Sequence, residues 1–300
     1  MLNIPDKVYN PRIKRVIGVA SGKGGVGKST VAVLLAQALA ASGRSVGILD
    51  ADITGPSIPR LLGIDSFRSE ADETHLYPVV NEEGIRVVSI NLVNEVEDDP
   101  VIWRGPLLGK ALQQFWEQTA WGDLDYLVVD FPPGTSDIAL TAFQTIPLDG
   151  LVVVATPQDY VAMIVHKMVR MAAMLKTPVL GVVRNMATMV CPHCGESIDL
   201  FADGGAGLPG SGHTGAEQAG AEHGSTGHYR AELPLLADLP WRRELAQARS
   251  LRWSGVGEEA RKDALGLAAE VEMALNTLTH DSTASAASVD STASAASATS

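Results

Sequence analysis

The run GKGGVGKS, Gly22 to Ser29, follows a short apolar stretch and opens one of helical character, and that order leaves few folds open. The spacing G-x-x-x-x-G-K-[ST] between a strand and a helix is that of a phosphate loop. Its glycines let backbone N–H groups turn inward around phosphates, and the helix N-terminus adds the positive end of a dipole. Gly22, Lys23, Gly24, Gly25, Val26 and Gly27 form the predicted cradle. Lys28 is expected to reach the β- and γ-phosphates, the Ser29 hydroxyl to ligate Mg²⁺, and Thr30 to donate to the α-phosphate. One lysine is enough for such a loop, so Lys23 needs a second explanation.

The rest of the chain alternates as a phosphate-loop fold requires. Apolar runs at 15–20, 45–50, 85–90, 125–130, 150–156 and 178–183, and a weaker one at 233–239, are separated by segments of helical length. Near-continuous Val- and Ile-rich runs suit strands covered on both faces, and their alternation with helices predicts a parallel sheet. STVAVLLAQALAASG and PLLGKALQQFWEQTAW are the clearest helices. The predicted fold is α/β: a doubly wound, mostly parallel sheet with helices on both faces, binding ligands at the carboxyl ends of its strands. Residues 1–14 are predicted as an N-terminal extension and 15–280 as one domain. Within it, 204–228 contains nine glycines and reads as a mobile loop, and its His213, His223 and His228 are too irregularly spaced for a metal site. The tail, 281–300, repeats DSTASAAS with almost no apolar residue but alanine and is expected to be disordered.

Charge and hydropathy narrow the partners. A formal net charge of −12 argues against sequence-independent nucleic-acid binding, which needs an exposed excess of Lys and Arg. The N-terminus lacks the apolar core of a secretory signal, and GLVVVATP is too short to span a bilayer. The expectation is a soluble, cytoplasmic protein with no membrane and no nucleic-acid partner.

Three carboxylates belong with the phosphate loop. Asp130 ends the apolar run YLVVD, where a Mg²⁺-side carboxylate is expected, and Gly134 in the following PPGTSD offers its amide to a γ-phosphate. Asp50 and Asp52 end the strand after the first helix. Asp52, lying beyond the strand end, is favoured to orient the attacking water, while Asp50 reads equally well as a strand-end cap. The chain has two cysteines, Cys191 and Cys194, in one CPHC. A pair so spaced binds a metal or cluster, or works as a redox couple. A [4Fe–4S] cluster or a Zn²⁺ site takes four thiolates, so either needs a second chain.

At this point the residues resemble a family. KGGVGKS is similar to the deviant phosphate loop of the dimerising ATPases that include MinD, ParA, the nitrogenase iron protein and the Mrp/ApbC iron–sulfur carriers. DADITGPSIPRLLG, VIWRGPLLGKAL, DYLVVDFPPGTSD, TPQD, GVVRNM and CPHCG resemble the Mrp/ApbC members in particular, across roughly residues 15–201. The resemblance implies a slow ATPase using ATP and Mg²⁺, in which Lys23, Lys28, Asp52 and Asp130 serve hydrolysis. Lys23 would reach the nucleotide of a second subunit, Asn185 would bond the adenine, and Pro240 would lie beside it. Cys191 and Cys194 would hold a [4Fe–4S] cluster between the subunits of a homodimer. Upstream cluster scaffolds and apo iron–sulfur proteins are the implied partners. A MinD- or ParA-like spatial organiser of membrane or DNA is the alternative; the helix expected over 261–278 has more acidic than basic residues and lacks a membrane anchor's character. One departure stands out: the family's Ile-Pro-Leu-Asp beside the adenine is LPWRREL here, with Pro240 kept and the acidic residue absent.

Overall fold

The computed structural model describes residues 7–93, 105–157, 159–191, 193–200 and 233–296. The glycine- and histidine-rich stretch 204–228 lies outside them. Among the described residues the strands are β1 (Ile13–Ser21), β2 (Val46–Asp50), β3 (Val79–Val80), β4 (Arg86–Val88), β5 (Leu124–Asp130), β6 (Gly150–Ala155), β7 (Val179–Val190), β8 (Ser197–Asp199) and β9 (Leu235–Trp241). The helices are α1 (Lys28–Ala41), α2 (Ile58–Leu62), α3 (Ile90–Val93), α4 (Gly105–Glu117), α5 (Asp137–Thr145), α6 (Asp159–Met174), α7 (Arg243–Gln247) and α8 (Glu258–Ala296).

The strands form one sheet in the order β3-β4-β2-β5-β1-β6-β7-β8, with β9 also paired to β7. All pairings are parallel except β3 with β4 and β7 with β8. Alternation along each strand splits the core into two layers. Val128 and Val19 point to the layer closed by α1 and α8; Leu127 and Val129 point to the layer holding Leu112 of α4, Phe143 of α5 and Met168 of α6. Helices thus cover both faces, as expected. Helix α1 is apolar nearly all round because it lies between the sheet and α8, with Val31 through Leu39 buried. Tyr126 on β5 and Arg44 tie α8 down, donating to Glu272 Oε1 at 2.9 and 3.0 Å. Burial, and then the Glu272 carboxylate, push the Tyr126 phenol up to about 12.

Three expectations need correction. The apolar run at 85–90 stops pairing at Val88, and Ile90 opens α3. The strand expected over 178–183 continues to Val190; its second half leaves the doubly covered sheet, so burial alternates and the continuous apolar signal ends. Helix α8 runs on to Ala296, through most of the repeat assigned to a disordered tail. Alanine is the strongest helix former and no Gly or Pro interrupts 280–296, so the backbone has no stop signal there. Among the residues of α8 whose side chains are described, the last buried apolar one is Leu275.

Candidate nucleotide site and cysteine hairpin

Strand β1 sits at the centre of the sheet and delivers the chain, at Ser21, directly into the loop that α1 closes. Gly27 caps α1 in the left-handed region, φ 83°, where a side chain is strained. A Cβ there would also lie 2.3 Å from Asn185 Nδ2. Asn185 Nδ2 donates to the Val26 carbonyl at 2.9 Å, so the middle of β7 is latched to the loop. At Gly24 and Gly25 a Cβ would meet open space, which leaves the outer side of the loop accessible. A cavity of about 290 Å³ opens over it, lined by Gly24, Gly27, Lys28, Ser29, Thr30 and Asp52. Lys23 is half-buried at the loop's entrance, its carbonyl accepting from the Ser21 hydroxyl at 2.9 Å.

The carboxylates part company in three dimensions. Asp130 and Asp50 are register partners on β5 and β2, and both are fully buried. Lys28 Nζ reaches Asp130 Oδ1 at 2.6 Å, and the Ser29 hydroxyl donates to Oδ2 at 2.6 Å. Burial still outweighs the Lys28 charge and holds the Asp130 carboxyl above the usual range. The Asp130–Ser29 oxygen pair is the hard, charged donor set that suits Mg²⁺. Asp50 is occupied otherwise: it accepts from Ser89 Oγ at 3.1 Å and from the amides of Ile58 and Asp52 at 3.3 Å. It organises the turn after β2 and does not line the cavity. Asp52 does, and both bonds it accepts, from Thr54 Oγ1 and the Gly55 amide at 3.1 and 3.2 Å, fall on Oδ1.

Burial, reinforced by the charge of Asp130, pushes Asp50 up to about 8. The folded chain therefore holds a proton at Asp50 that the unfolded chain releases near 3.8. With the folded value raised, this site's contribution to stability is full below about pH 4 and is lost as pH rises towards about 8. Asp50→Asn is expected to flatten the fall of the urea midpoint across that window; an unchanged slope would show that Asp50 is ionised in the fold.

Gly134 departs from expectation. Its N–H donates to the Ser21 carbonyl at 2.8 Å, so it does not face the cavity, and any contact with a phosphate requires that bond to open. Asn185 likewise spends its amide on Val26, yet its side chain also lines a second, small pocket with Thr30 and Pro240. Arg242 and Asp263 line that pocket too. Neither carries a local sequence signal, because no spacing rule pairs the end of β9 with a turn of α8.

The cysteines cap a hairpin. β7 runs past the end of β6 and folds back as β8, pairing Thr188 with Asp199 and Val190 with Ser197. Cys191 closes the turn, its N–H donating to the Glu196 carbonyl at 2.8 Å and its carbonyl accepting from the Gly195 amide at 2.9 Å. Cys194 is exposed and Cys191 half-buried, and both are free thiols. Backbone N–H groups of Cys194 and His193, with the Cys194 thiol, hold Cys191 below the usual thiol range, which favours the thiolate that ligates metals. Among the described residues no cluster of three or more His, Cys, Asp or Glu side chains completes a metal site. Among them, too, no helix is long and apolar enough to cross a membrane.

Comparison with known proteins agrees with this geometry. Residues 12–250 match the ParA family model described as NUBPL iron-transfer P-loop NTPase. An iron-sulfur cluster carrier protein of Clostridium perfringens is 49% identical over 243 residues, covering 79% of each chain. The iron-sulfur cluster carrier protein of Escherichia coli K12 is 50% identical over 195 residues, 65% of this chain and 52% of that one, so the match spans about half of the relative. Among solved structures, a nucleotide-binding protein of Archaeoglobus fulgidus in complex with ADP has a TM-score of 0.62 at 35% identity, covering 86% of this chain and 88% of its own. The cell division ATPase MinD of Pyrococcus furiosus shares the fold, with a TM-score of 0.56 at 20% identity over 87% and 99% of the two chains.

Proposed function

We propose, from the premise that the chain belongs to the NUBPL-type iron-transfer P-loop NTPase family, that it is an ATP-dependent carrier in which two copies hold an iron–sulfur cluster between them and pass it to apoproteins. The observation that carries this reading is the cysteine hairpin. It presents two free thiols, one of them biased towards thiolate, in a chain with no further cysteine. A [4Fe–4S] cargo takes four thiolates, which a symmetric pair of such hairpins supplies.

The phosphate site would drive the cycle. Lys28 would exchange Asp130 for the β- and γ-phosphates, and Asp130 and Ser29 would hold Mg²⁺, which when bound would supply charge to offset that of the transferring phosphoryl group. Asp52, with Oδ2 outside its two turn bonds, orients water towards the γ-phosphorus. A new P–O bond forms as the β–γ bridging bond breaks, releasing ADP and phosphate. Lys23 sits where the loop's glycines leave open approach and would extend to the nucleotide of the facing copy. ATP thereby favours the closed pair and hydrolysis relaxes it, coupling nucleotide to cargo if the two states hold the cluster differently.

The test is light scattering with and without Mg·ATP, together with transfer of reconstituted cluster to an apo iron–sulfur protein. Wild type should dimerise on ATP and activate the acceptor. Lys23→Gln should bind ATP within a few-fold of wild type yet fail to dimerise, and its turnover should fall on the order of 10³-fold, as for a finger residue supplied in trans. ATP-dependent pelleting with liposomes or DNA, without cluster transfer, would instead support a spatial organiser.

A further inference from the structure

No Asp or Glu occurs between Asp159 and Glu196, in a chain that carries 35 of them in 300 residues and a formal net charge of −12. The stretch spans α6, β7 and the cysteine turn, and it holds six of the eight methionines. Its cations gather on the outer face of α6. His166, Lys167, Arg170 and Ala173 are exposed at helical spacing, Met174 beside them is 63% exposed, and the exposed Lys176 follows just past the helix end. The opposite side of the helix is anchored, with Val165, Met168 and Ala172 buried in the core. Elsewhere surface cations have partners: Arg12, Lys14, Arg15, Arg44 and Arg252 each lie within 3.4 Å of a carboxylate. Among the described residues, Lys167, Arg170 and Lys176 form no such pair. The dipole of α6 accounts for a cation at Lys176, next to its negative C-terminal end, but not for Lys167 and Arg170 further back.

We infer that the outer face of α6 docks the acidic surface of the apoprotein that receives the cluster. The inference rests on the carrier reading above and adds to it where the recipient lands. Charge complementarity selects the occupant. An acidic partner is repelled by the net charge of −12 and attracted at α6, so the same field that speeds encounter also sets its orientation. Met174 puts a flexible, polarizable side chain among these cations, and such side chains re-pack against recipients of different shape. The chain passes from α6 through β7 straight to Cys191, so recipient and cargo are held by one continuous unit. Two copies cannot share the face symmetrically, because its like charges would oppose one another.

The probe is an acidic apo-ferredoxin. Its affinity for the metal-free chain is measured by calorimetry, with melting temperatures as a check on folding, and cluster transfer to it is then followed by EPR. Lys167→Glu/Arg170→Glu should weaken binding about tenfold, as expected for two exposed charge contacts turned repulsive. Raising salt from about 0.05 to 0.3 M should weaken wild type and leave that variant almost unchanged. Arg249→Glu/Lys262→Glu changes the net charge equally at exposed positions after α7 and on α8, and should bind like wild type. Equal affinity in wild type and the α6 variant overturns the inference, as does no binding by wild type. An equal loss in the α8-side control also overturns it, since that marks bulk charge. Duplex DNA bound through Lys167 and Arg170, with apo-ferredoxin ignored, would make the face a nucleic-acid surface instead. Binding through α6 without cluster transfer keeps the docking face and removes the carrier reading, so the two fail separately.

Discussion

Anaerobic reconstitution of the Cys191→Ser/Cys194→Ser chain with iron and sulfide is expected to yield no cysteine-dependent chromophore, while wild type takes up about four irons per dimer. The effect should be all-or-none, because serine hydroxyls do not replace thiolates for a soft cluster. It should also be confined to the cargo. Both cysteines sit at the tip of a hairpin whose β8 is exposed throughout, far from the buried layers of the sheet. The melting temperature and ATP affinity of the double variant should therefore match wild type. Single variants separate the two thiols: backbone amides hold the Cys191 thiol below its usual range, so Cys191→Ser should lose iron more completely than Cys194→Ser. Tight zinc in place of iron would keep the dimeric thiolate site and reject the cluster. Iron uptake that survives the double substitution would place the cargo elsewhere on the chain.

The second large effect concerns Lys28. Lys28→Ala removes the cation expected under two phosphates and at the same time strips a fully buried Asp130 of its charge partner. ATP affinity should fall at least about a hundredfold, since each hydrogen bond from a charged donor is worth about 1.5–3 kcal/mol. Breaking a buried pair by removing one partner also costs about 3–5 kcal/mol of stability. The two losses can be separated. Lys28→Met/Asp130→Asn removes both charges and should recover much of the stability, read by urea unfolding, without recovering any ATP binding. If the double variant is as unstable as Lys28→Ala, the pair is not what holds this end of the sheet. Gly27→Ala should impair binding by another route, since the new Cβ falls 2.3 Å from Asn185 Nδ2 at a φ that already disfavours it.

The strands and the phosphate loop were legible because each is contiguous in the chain and has its own physics. A strand covered on both faces must be apolar along its length, and a loop that wraps phosphates must carry glycines at set spacings. The same holds for the pairing of Cys191 with Cys194, three positions apart. Where a signal depended on distant chain it weakened. The second half of β7 leaves the covered sheet and loses its apolar run. Gly134 has the look of a phosphate-facing amide until β1 brings the Ser21 carbonyl within 2.8 Å.

Tertiary structure alone decided which carboxylate lines the phosphate cavity and which is buried away from it. Asp50 and Asp52 are two residues apart and chemically identical; only the approach of Ser89 and the Ile58 amide to one, and of the phosphate cavity to the other, distinguishes them. Asp263 meets Arg242 because α8 packs back over α1 beside the end of β9. The sequence by itself determined the α/β class, the nucleotide loop and the thiol pair, each written in local spacing. Strand order, the partners of buried carboxylates and the wall of the small pocket beside Thr30 arise from contacts between residues tens to more than a hundred positions apart, which local spacing does not encode.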